Sequence, residues 1–150
     1  MNTLHYSCII NAPIAEVYAF HTDTQNLPII TPPWIHVTIE KMDIPMVQGS
    51  RVVLQIKRYG ISTLWEMEIE EQSFPSSVID RMISGPFPFF RHQRLFSCVN
   101  ENETRMEETL TIALPFGWLG NLIFPLVKKD MDKMFSYRHN ATKNALSKGN

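Results

Sequence analysis

The residues between Gly85 and Gly117 constrain the fold most, because they predict two β-strands that carry ionisable and apolar side chains on the same face. Side chains alternate between the two faces of a strand, so every second residue lies on the same face. One face of the first strand holds Phe90, His92, Arg94, Phe96 and Cys98, and one face of the second holds Glu108, Leu110, Ile112 and Leu114. The short polar connection at residues 100–103 predicts an antiparallel hairpin in which Arg94 lies opposite, or one step diagonal to, Glu108.

The apolar neighbours mark this face as the buried one, so the side chains of His92, Arg94 and Glu108 should point inward. Buried charges are costly unless they are paired or solvated. Two interpretations follow from the residues alone. The first is a structural Arg94–Glu108 pair with His92 as a hydrogen-bonding core residue, and the second is a wet cavity that holds a ligand.

The composition limits the class of protein. With 150 residues the chain suits one domain over residues 1–150, and a formal net charge of -1 without a basic stripe predicts no nucleic-acid partner. Cys8 and Cys98 are too few for a disulfide framework or a zinc site, so we expect reduced core cysteines in a cytoplasmic protein. Residues 1–6 lack the pattern of a signal peptide. The longest apolar segment, around residues 119–127, is far shorter than the roughly 20 residues that cross a bilayer, so no integral membrane segment is expected.

No metal or cofactor is expected either. The histidines have no metal-ligand spacing, and only His92 can be placed beside carboxylates. The nucleophile motif Gly-x-Ser-x-Gly, the zinc motif His-Glu-x-x-His and a phosphate loop are all missing from the sequence.

The order of the predicted elements is strand, two short helices, six strands and one long helix. Alternation over Leu4–Ile10 predicts the first strand, and Asn11 fits the N-cap of a short helix that reaches about Phe20. A second short helix must end before Thr31, because the residue before a proline is pushed out of the helical region. From Trp34 onward the pattern has period two, which gives about seven strands in an antiparallel meander.

After Gly117 the spacing of apolar residues predicts a long helix that ends near Lys148-Gly149, with Pro125 as a kink or as its true start. Its predicted inward stripe consists of Leu119, Leu122, Leu126, Met131, Met134, Phe135, Arg138, Ala141 and Ala145. An antiparallel sheet curved around one helix leaves a space between them that suits a ligand. Large side chains predicted to face this space either line a pocket or simply fill the core: Trp65, Met67, Phe90, Met134 and Phe135.

Several short motifs join this element order to a known family. They are Ala12-Pro13, Phe20-His21-Thr22-Asp23, Asn26-Leu27, Thr31-Pro32-Pro33-Trp34, Gly85-Pro86-Phe87, Pro115-Phe116-Gly117 and Met134-Phe135-Ser136-Tyr137-Arg138-His139. With them the chain resembles the SRPBCC domains of the START and Bet v 1-like superfamily. It is most similar to the small bacterial branch labelled cyclase/dehydrase-like or cell-division-inhibitor-like. The resemblance implies an α+β helix-grip fold, in which the sheet wraps the C-terminal helix around a deep cavity. It also implies a lipid, sterol, polyketide or hormone as ligand, and in a minority of relatives aromatic cyclisation.

One position departs from the pattern of this branch. The pattern places a Trp and then His-x-His and Phe after Gly-Pro-Phe, and here these places are taken by Phe90, His92, Arg94 and Phe96. An arginine cannot ligate a cation, whereas it suits a carboxylate on Glu108 or on a ligand through a two-pronged hydrogen bond.

The leading functional hypothesis is a cytoplasmic binding protein for a small, largely hydrophobic molecule, with an acidic group read by Arg94 or Arg138. Alternatively, Arg138 pairs with Asp80 or Glu108 as a structural bridge. The predicted ligand-binding residues are Trp65, Met67, Asp80, Phe90, His92, Arg94, Glu108, Leu110, Met134, Phe135 and Arg138.

Two other hypotheses remain open. A cyclase, dehydratase or isomerase would use His92 as general acid or base, tuned by the carboxylate of Glu108 or Asp80. An interaction module with a vestigial cavity would bind an unidentified protein through the Thr31–Trp34 loop and residues 119–124, with exposed aromatic anchors. Those anchors are Trp34, Phe116 and Trp118, unless they plug the cavity mouth.

Overall fold

A computed structural model describes residues 1–146, and it has the predicted order of elements. The strands are β1 (Asn2–Ile10), β2 (His36–Met42), β3 (Arg51–Arg58), β4 (Ile61–Ser73), β5 (Ser77–Ser84), β6 (Phe89–Asn100) and β7 (Glu103–Ala113). The helices are α1 (Ile14–Thr22), α2 (Leu27–Ile30) and α3 (Trp118–Leu146), with a 3₁₀ turn at Thr24–Asn26 between the first two.

The strands form a 7-stranded antiparallel sheet in the order β1-β7-β6-β5-β4-β3-β2. It is the predicted helix-grip fold, because the sheet curves around α3 while α1 and α2 cover one end. None of the helices in the described part of the chain is long and apolar enough to cross a membrane.

Alternation places the core on the concave face of the sheet. In β7 the buried side chains are Thr104, Met106, Glu108, Leu110 and Ile112. The outer face of β4 carries Glu66, Glu68 and Glu70, which pair with arginines on β3, β5 and β6.

The register of the β6–β7 hairpin agrees with the prediction. Arg94 lies directly opposite Glu108, and the chain turns between Asn100 and Glu103. The β3–β4 hairpin turns at Tyr59 (φ 54°) and Gly60 (φ 76°), and this pair of left-handed residues matches the twist of a two-residue hairpin.

The predicted N-cap of α1 is wrong. The cap residue is Pro13, whose carbonyl oxygen accepts from the backbone N–H groups of Glu16 and Val17, and no side chain among residues 1–146 caps this end. The buried Thr104 hydroxyl donates to the carbonyl of Ala12 at 2.8 Å, which fixes the entry to the helix from the sheet instead. The second short helix ends at Ile30, before Thr31, as predicted.

The predicted inward stripe of α3 is wrong in its first half, where Leu119, Leu122 and Leu126 are exposed, and again at Ala145, which is exposed too. The buried stripe contains Gly120, Met131, Phe135, His139 and Thr142 instead. Gly120 decides this rotation, because a Cβ there would lie 2.4 Å from the Pro115 carbonyl oxygen. Only glycine allows the helix to approach the end of β7 so closely.

Three further expectations for the chain can be compared with the structure. Pro125 lies inside α3, which starts at Trp118, and the predicted end near Lys148 falls outside the described residues.

Both cysteines are free, but the prediction of a core position is wrong for Cys98. Cys98 is exposed because it lies at the far end of β6, where the ladder with β7 becomes irregular, whereas Cys8 is partly buried.

Candidate functional site

A cavity of about 420 Å³ lies between the concave face of the sheet, α3 and the segment that contains α1 and α2. Nine of the predicted site residues line it: Trp65, Met67, Asp80, Phe90, His92, Arg94, Met134, Phe135 and Arg138. Two do not line it. Leu110 packs in the core with Leu4 and Ile112, and Glu108 lies behind His92. The space that the sequence predicted is therefore open in the structure, not filled by side chains.

Aromatic rings form one wall of the cavity. The rings of Trp65 and Phe90 meet edge to face with centroids 5.2 Å apart, and Phe87 stacks on Phe90 at 5.9 Å. Such arrangements are favourable for aromatic pairs and fix the orientation of each ring. This wall suits a flat, apolar molecule.

Arg94 and Asp80 form an ion pair in the cavity wall, with Arg94 Nη2 2.6 Å from Asp80 Oδ2. Arg94 Nη1 also donates to the carbonyl oxygen of His21 at 2.9 Å. The predicted structural pair between Arg94 and Glu108 is therefore wrong, although the two residues face each other in the ladder. Arg94 is thus held by the protein through its two terminal nitrogens, and its Nε atom is buried without a hydrogen-bond partner among residues 1–146.

Glu108 binds two imidazoles. Its Oε2 atom lies 2.6 Å from His92 Nε2, and its Oε1 atom lies 3.2 Å from His139 Nε2. The carboxylate is 1 % exposed, so these two contacts replace the water that it lacks. The expectation that only His92 could be placed beside a carboxylate is wrong. His139 lies one helical turn after Phe135 on the buried face of α3, and its imidazole also contacts Glu108.

The charges of this group follow from burial and from the contacts. Burial alone would raise the pKa of Glu108, but the two imidazoles and Arg138 outweigh it and hold that pKa well below its ordinary value. Burial lowers the pKa of His92, although Glu108 opposes the change. Burial also favours neutral His139, but hydrogen bonds with Cys8 and Glu108 raise its pKa to about 9. At neutral pH, Glu108 is therefore ionised, His139 is protonated and His92 is neutral.

The tautomer of neutral His92 is fixed by its partner. An ionised carboxylate only accepts hydrogen bonds, so His92 Nε2 carries the proton and Nδ1 carries the lone pair. His92 lines the cavity, and Nδ1 is thus the basic atom that this side chain can offer there.

Arg138 lines the cavity, and it forms no ion pair within residues 1–146. The carboxylates near it are occupied, Asp80 by Arg94 and Glu108 by the two imidazoles. Its Nε atom is buried without a hydrogen-bond partner among residues 1–146. The predicted alternative of a structural bridge from Arg138 to Asp80 or Glu108 is therefore wrong. Burial lowers the pKa of Arg138, but a guanidinium keeps its charge at physiological pH.

Several lining residues were missed from the sequence. His21 is buried in the wall, and burial together with Arg94 lowers its pKa well below the ordinary value. Tyr59 and Ile61 line the cavity and are 79 % and 67 % exposed, so the cavity reaches the surface beside the β3–β4 turn. The helical spacing of His21 after Val17 and Tyr18 was a usable signal, whereas nothing in the sequence marks a turn as a cavity mouth.

The aromatic residues proposed as exposed anchors divide into two kinds. Trp34 packs on α3, with its ring 5.8 Å from that of Tyr137 and Lys133 Nζ 4.5 Å above it. Phe116 and Trp118 are 80 % and 71 % exposed. The exposed apolar surface predicted for an interaction module is therefore present at the start of α3, although the cavity is open as well.

Solved structures share this fold across nearly their whole length. A protein from Thermus thermophilus, TTHA0849, has a TM-score of 0.73 at 20 % identity, with 97 % of each chain covered. A START superfamily protein from Mycobacterium smegmatis has a TM-score of 0.72 at 14 % identity, with 96 % of each chain covered. The Zhui aromatase/cyclase from Streptomyces sp. R1128 has a TM-score of 0.70 at 14 % identity, with 99 % of this chain and 98 % of that chain covered. At these identities the likeness establishes the fold alone.

The sequence itself identifies the family. No curated protein is similar enough in sequence to count as a match. The family described as "Polyketide cyclase / dehydrase and lipid transport" matches residues 10–136, from the end of β1 to the middle of α3. This match includes most of the residues that line the cavity, but it ends before Arg138, and it agrees with the helix-grip fold. The chain therefore belongs to the polyketide cyclase/dehydrase and lipid transport family.

Proposed function

We propose that the cavity binds a small, largely apolar molecule that carries an acidic group, and that Arg138 recognises this group. The observation that carries the proposal is the guanidinium of Arg138, which lines the cavity, has no ion pair among residues 1–146 and has a buried Nε atom without a hydrogen-bond partner there. A buried charge without a partner is unfavourable, so an anionic ligand would relieve a cost that the protein alone bears. One structural neighbour is named as an aromatase/cyclase, which agrees with an aromatic or polyketide-like ligand.

The geometry supports Arg138 as the anion receptor more than Arg94, which the leading hypothesis also named. Arg94 already donates to Asp80 and to the His21 carbonyl. Arg138 also lies on the stripe of α3 that carries Phe135, so its charge is presented beside apolar surface. An acidic group on Arg138 would leave the rest of a ligand against the aromatic wall.

The test compares two probes of equal shape, anionic 2-naphthoate and neutral 2-naphthamide, by isothermal titration. Arg138→Gln is expected to weaken 2-naphthoate binding by about tenfold or more, which corresponds to at least about 1.4 kcal/mol, and to leave 2-naphthamide nearly unchanged. The matched control is Arg81→Gln, which removes an exposed arginine paired with Glu68 on the outer face of the sheet. Equal losses for the two probes, or no loss for either, would refute the role of Arg138. Native mass spectrometry and solvent extraction of the purified protein would then identify the natural ligand.

A second candidate function is acid–base chemistry on the bound molecule. It is favoured by one observation, the 2.6 Å contact between His92 and Glu108, which leaves His92 Nδ1 as a base on the cavity side. Asp80 does not share this role, because its carboxylate is taken by Arg94.

The probe for this chemistry is 2-tetralone, an apolar ketone with an acidic C–H bond. The rate of deuterium exchange at its α-carbon in D₂O, followed by NMR, should rise in the presence of the protein and fall to the background rate with His92→Ala. Exchange that survives both His92→Ala and Glu108→Gln would exclude these residues as the base. Absence of any acceleration would leave ligand binding alone as the function.

A further inference from the structure

The carboxylate of Glu108 lies between two spaces. On one side is the cavity, which His92 lines. On the other side is a small outer pocket, lined by Tyr6, Ser7, Cys8, Asp132, Ser136, His139, Asn140 and Lys143. Glu108 itself lines neither space, but it contacts one imidazole from each. The chain His92–Glu108–His139 is thus a direct physical connection through the wall.

Packing holds this connection in place. The ring of Phe135 packs edge to face against both imidazoles, with centroids 5.5 Å from His92 and 6.4 Å from His139. Tyr6 stacks on Phe135 at 4.2 Å, and its hydroxyl donates to Asp132 at 2.8 Å. The imidazoles therefore cannot turn away from Glu108 without disrupting the helix–sheet contact.

We propose that His139 is a positioning residue, whose charge, set in the outer pocket, determines through Glu108 whether the His92 imidazole in the cavity can hold a proton. While His139 is charged, the negative charge of Glu108 is compensated on the outer side, and burial keeps His92 neutral. When His139 loses its proton, Glu108 has His92 as its nearest remaining titratable partner and favours the imidazolium form there. Loss of the His139 charge therefore raises the pKa of His92.

The other titratable groups around His92, Glu108 and His139 do not produce this change in the pKa of His92. The groups that face His92 and Glu108 from the neighbouring elements are Asp80, Arg94, Arg138, His21 and Tyr6. Arg94 and Arg138 keep their charge at physiological pH, and Asp80 is paired with Arg94. Burial lowers the pKa of His21 and raises that of Tyr6, so neither changes charge near neutral pH. His139 instead faces Cys8 and shares the outer pocket with Asp132 and Lys143, where solutes can reach it.

The inference can be tested on the free protein, so its outcome is independent of whether the cavity binds an acidic molecule. Imidazole ¹⁵N and ¹³C chemical shifts of His92 are measured from pH 5 to pH 10 in the wild type and in variants. In His139→Gln, which is neutral and can still donate to Glu108, the pKa of His92 is expected to rise by about one unit, a tenfold change in its protonated fraction. In His139→Lys, which restores the charge, the wild-type titration of His92 is expected to return.

The matched control is His36→Gln, a substitution of an exposed histidine on β2, which should leave His92 unchanged. Cys8→Ala removes one partner of His139 without touching Glu108, and it should move the His92 titration in the same direction as His139→Gln by a smaller amount. This variant provides the answer if His139→Gln fails to fold. A His92 titration that is identical in the wild type and in each folded variant would overturn the proposal, and so would a shift in His139→Gln that His139→Lys does not reverse.

Discussion

Arg94 and Asp80 form the ion pair of the cavity wall across the β5–β6 ladder, although the carboxylate directly opposite Arg94 in the β6–β7 ladder belongs to Glu108. Glu108 is unavailable because two imidazoles occupy its oxygens. The contact of Arg94 with the His21 carbonyl also attaches the last turn of α1 to the sheet. One arginine thus connects three elements around the cavity.

Asp80→Asn is expected to lower the free energy of unfolding by about 3 kcal/mol, because it leaves a charged Arg94 in the wall without its counter-charge. Urea unfolding measures the loss. The control is Glu66→Gln, which breaks an exposed pair with Arg51 and should cost less than about 1 kcal/mol. Losses of the same size in both variants would show that the cavity pair carries no special weight.

The stability of the wild type is expected to fall as the pH rises from about 6.5 to about 9. Because the pKa of His139 is raised to about 9 in the folded state and is near 6.5 in an unfolded chain, the folded protein binds the additional proton between these values. The contribution is complete below pH 6.5 and is lost above pH 9, with a slope of at most about 1.4 kcal/mol per pH unit. Urea unfolding at pH 6, 7, 8 and 9 should show this slope in the wild type and a flatter line in His139→Gln. A variant that keeps the wild-type slope would exclude His139 as its source.

Met134→Trp should reduce the binding of both naphthalene probes and leave the protein folded, because Met134 lines the open cavity, which can hold the larger side chain. Binding is measured by titration and stability by thermal unfolding. Ile123→Trp, which enlarges an exposed side chain on the same helix, is the control and should leave binding unchanged. Unimpaired binding in Met134→Trp would place the probes outside the cavity.

The true inward face of α3 can be tested with two truncations. Met131→Ala should cost about 2–4 kcal/mol, because it opens a hole in the core, whereas Leu126→Ala should lie within about 0.5 kcal/mol of the wild type. Urea unfolding of both variants is sufficient. A larger loss of unfolding free energy in Leu126→Ala than in Met131→Ala would instead support the inward face that the sequence pattern predicted.

Local patterns predicted the sheet well for a physical reason. Strict alternation in β6 and β7 fixes which side chains are buried, and a short polar turn limits which residues lie opposite each other, so Arg94 could be placed opposite Glu108 or one step diagonal to it. The first half of α3 offered no such constraint, because Leu122, Phe124 and Leu126 place apolar side chains on several faces. The close approach of Gly120 to Pro115 decided the rotation there, and that contact is not visible in a periodic pattern.

The sequence could predict which ionisable groups belong to the candidate site, but not which of them pair with each other. The sequence named Asp80, Arg94 and Glu108 as inward ionisable groups, but the partner of each depends on distances between elements far apart in the chain. His139 contributes from α3, 31 positions after Glu108, and Arg94 pairs with Asp80. The pairs in a buried network depend on one another, because a group that is already bound is not available to a second partner.

The carboxylate of Asp130 connects α3 to the mouth of the cavity. Asp130 of α3 forms an ion pair with Arg58 and accepts a 3.5 Å hydrogen bond from the hydroxyl of Tyr59, both at the β3–β4 turn where the cavity reaches the surface. Dissolved salt weakens attraction between such partly exposed charges, while the apolar contacts inside are scarcely affected. The ionic strength of the surroundings should therefore govern how long a guest molecule resides in the protein much more than how tightly the interior holds it.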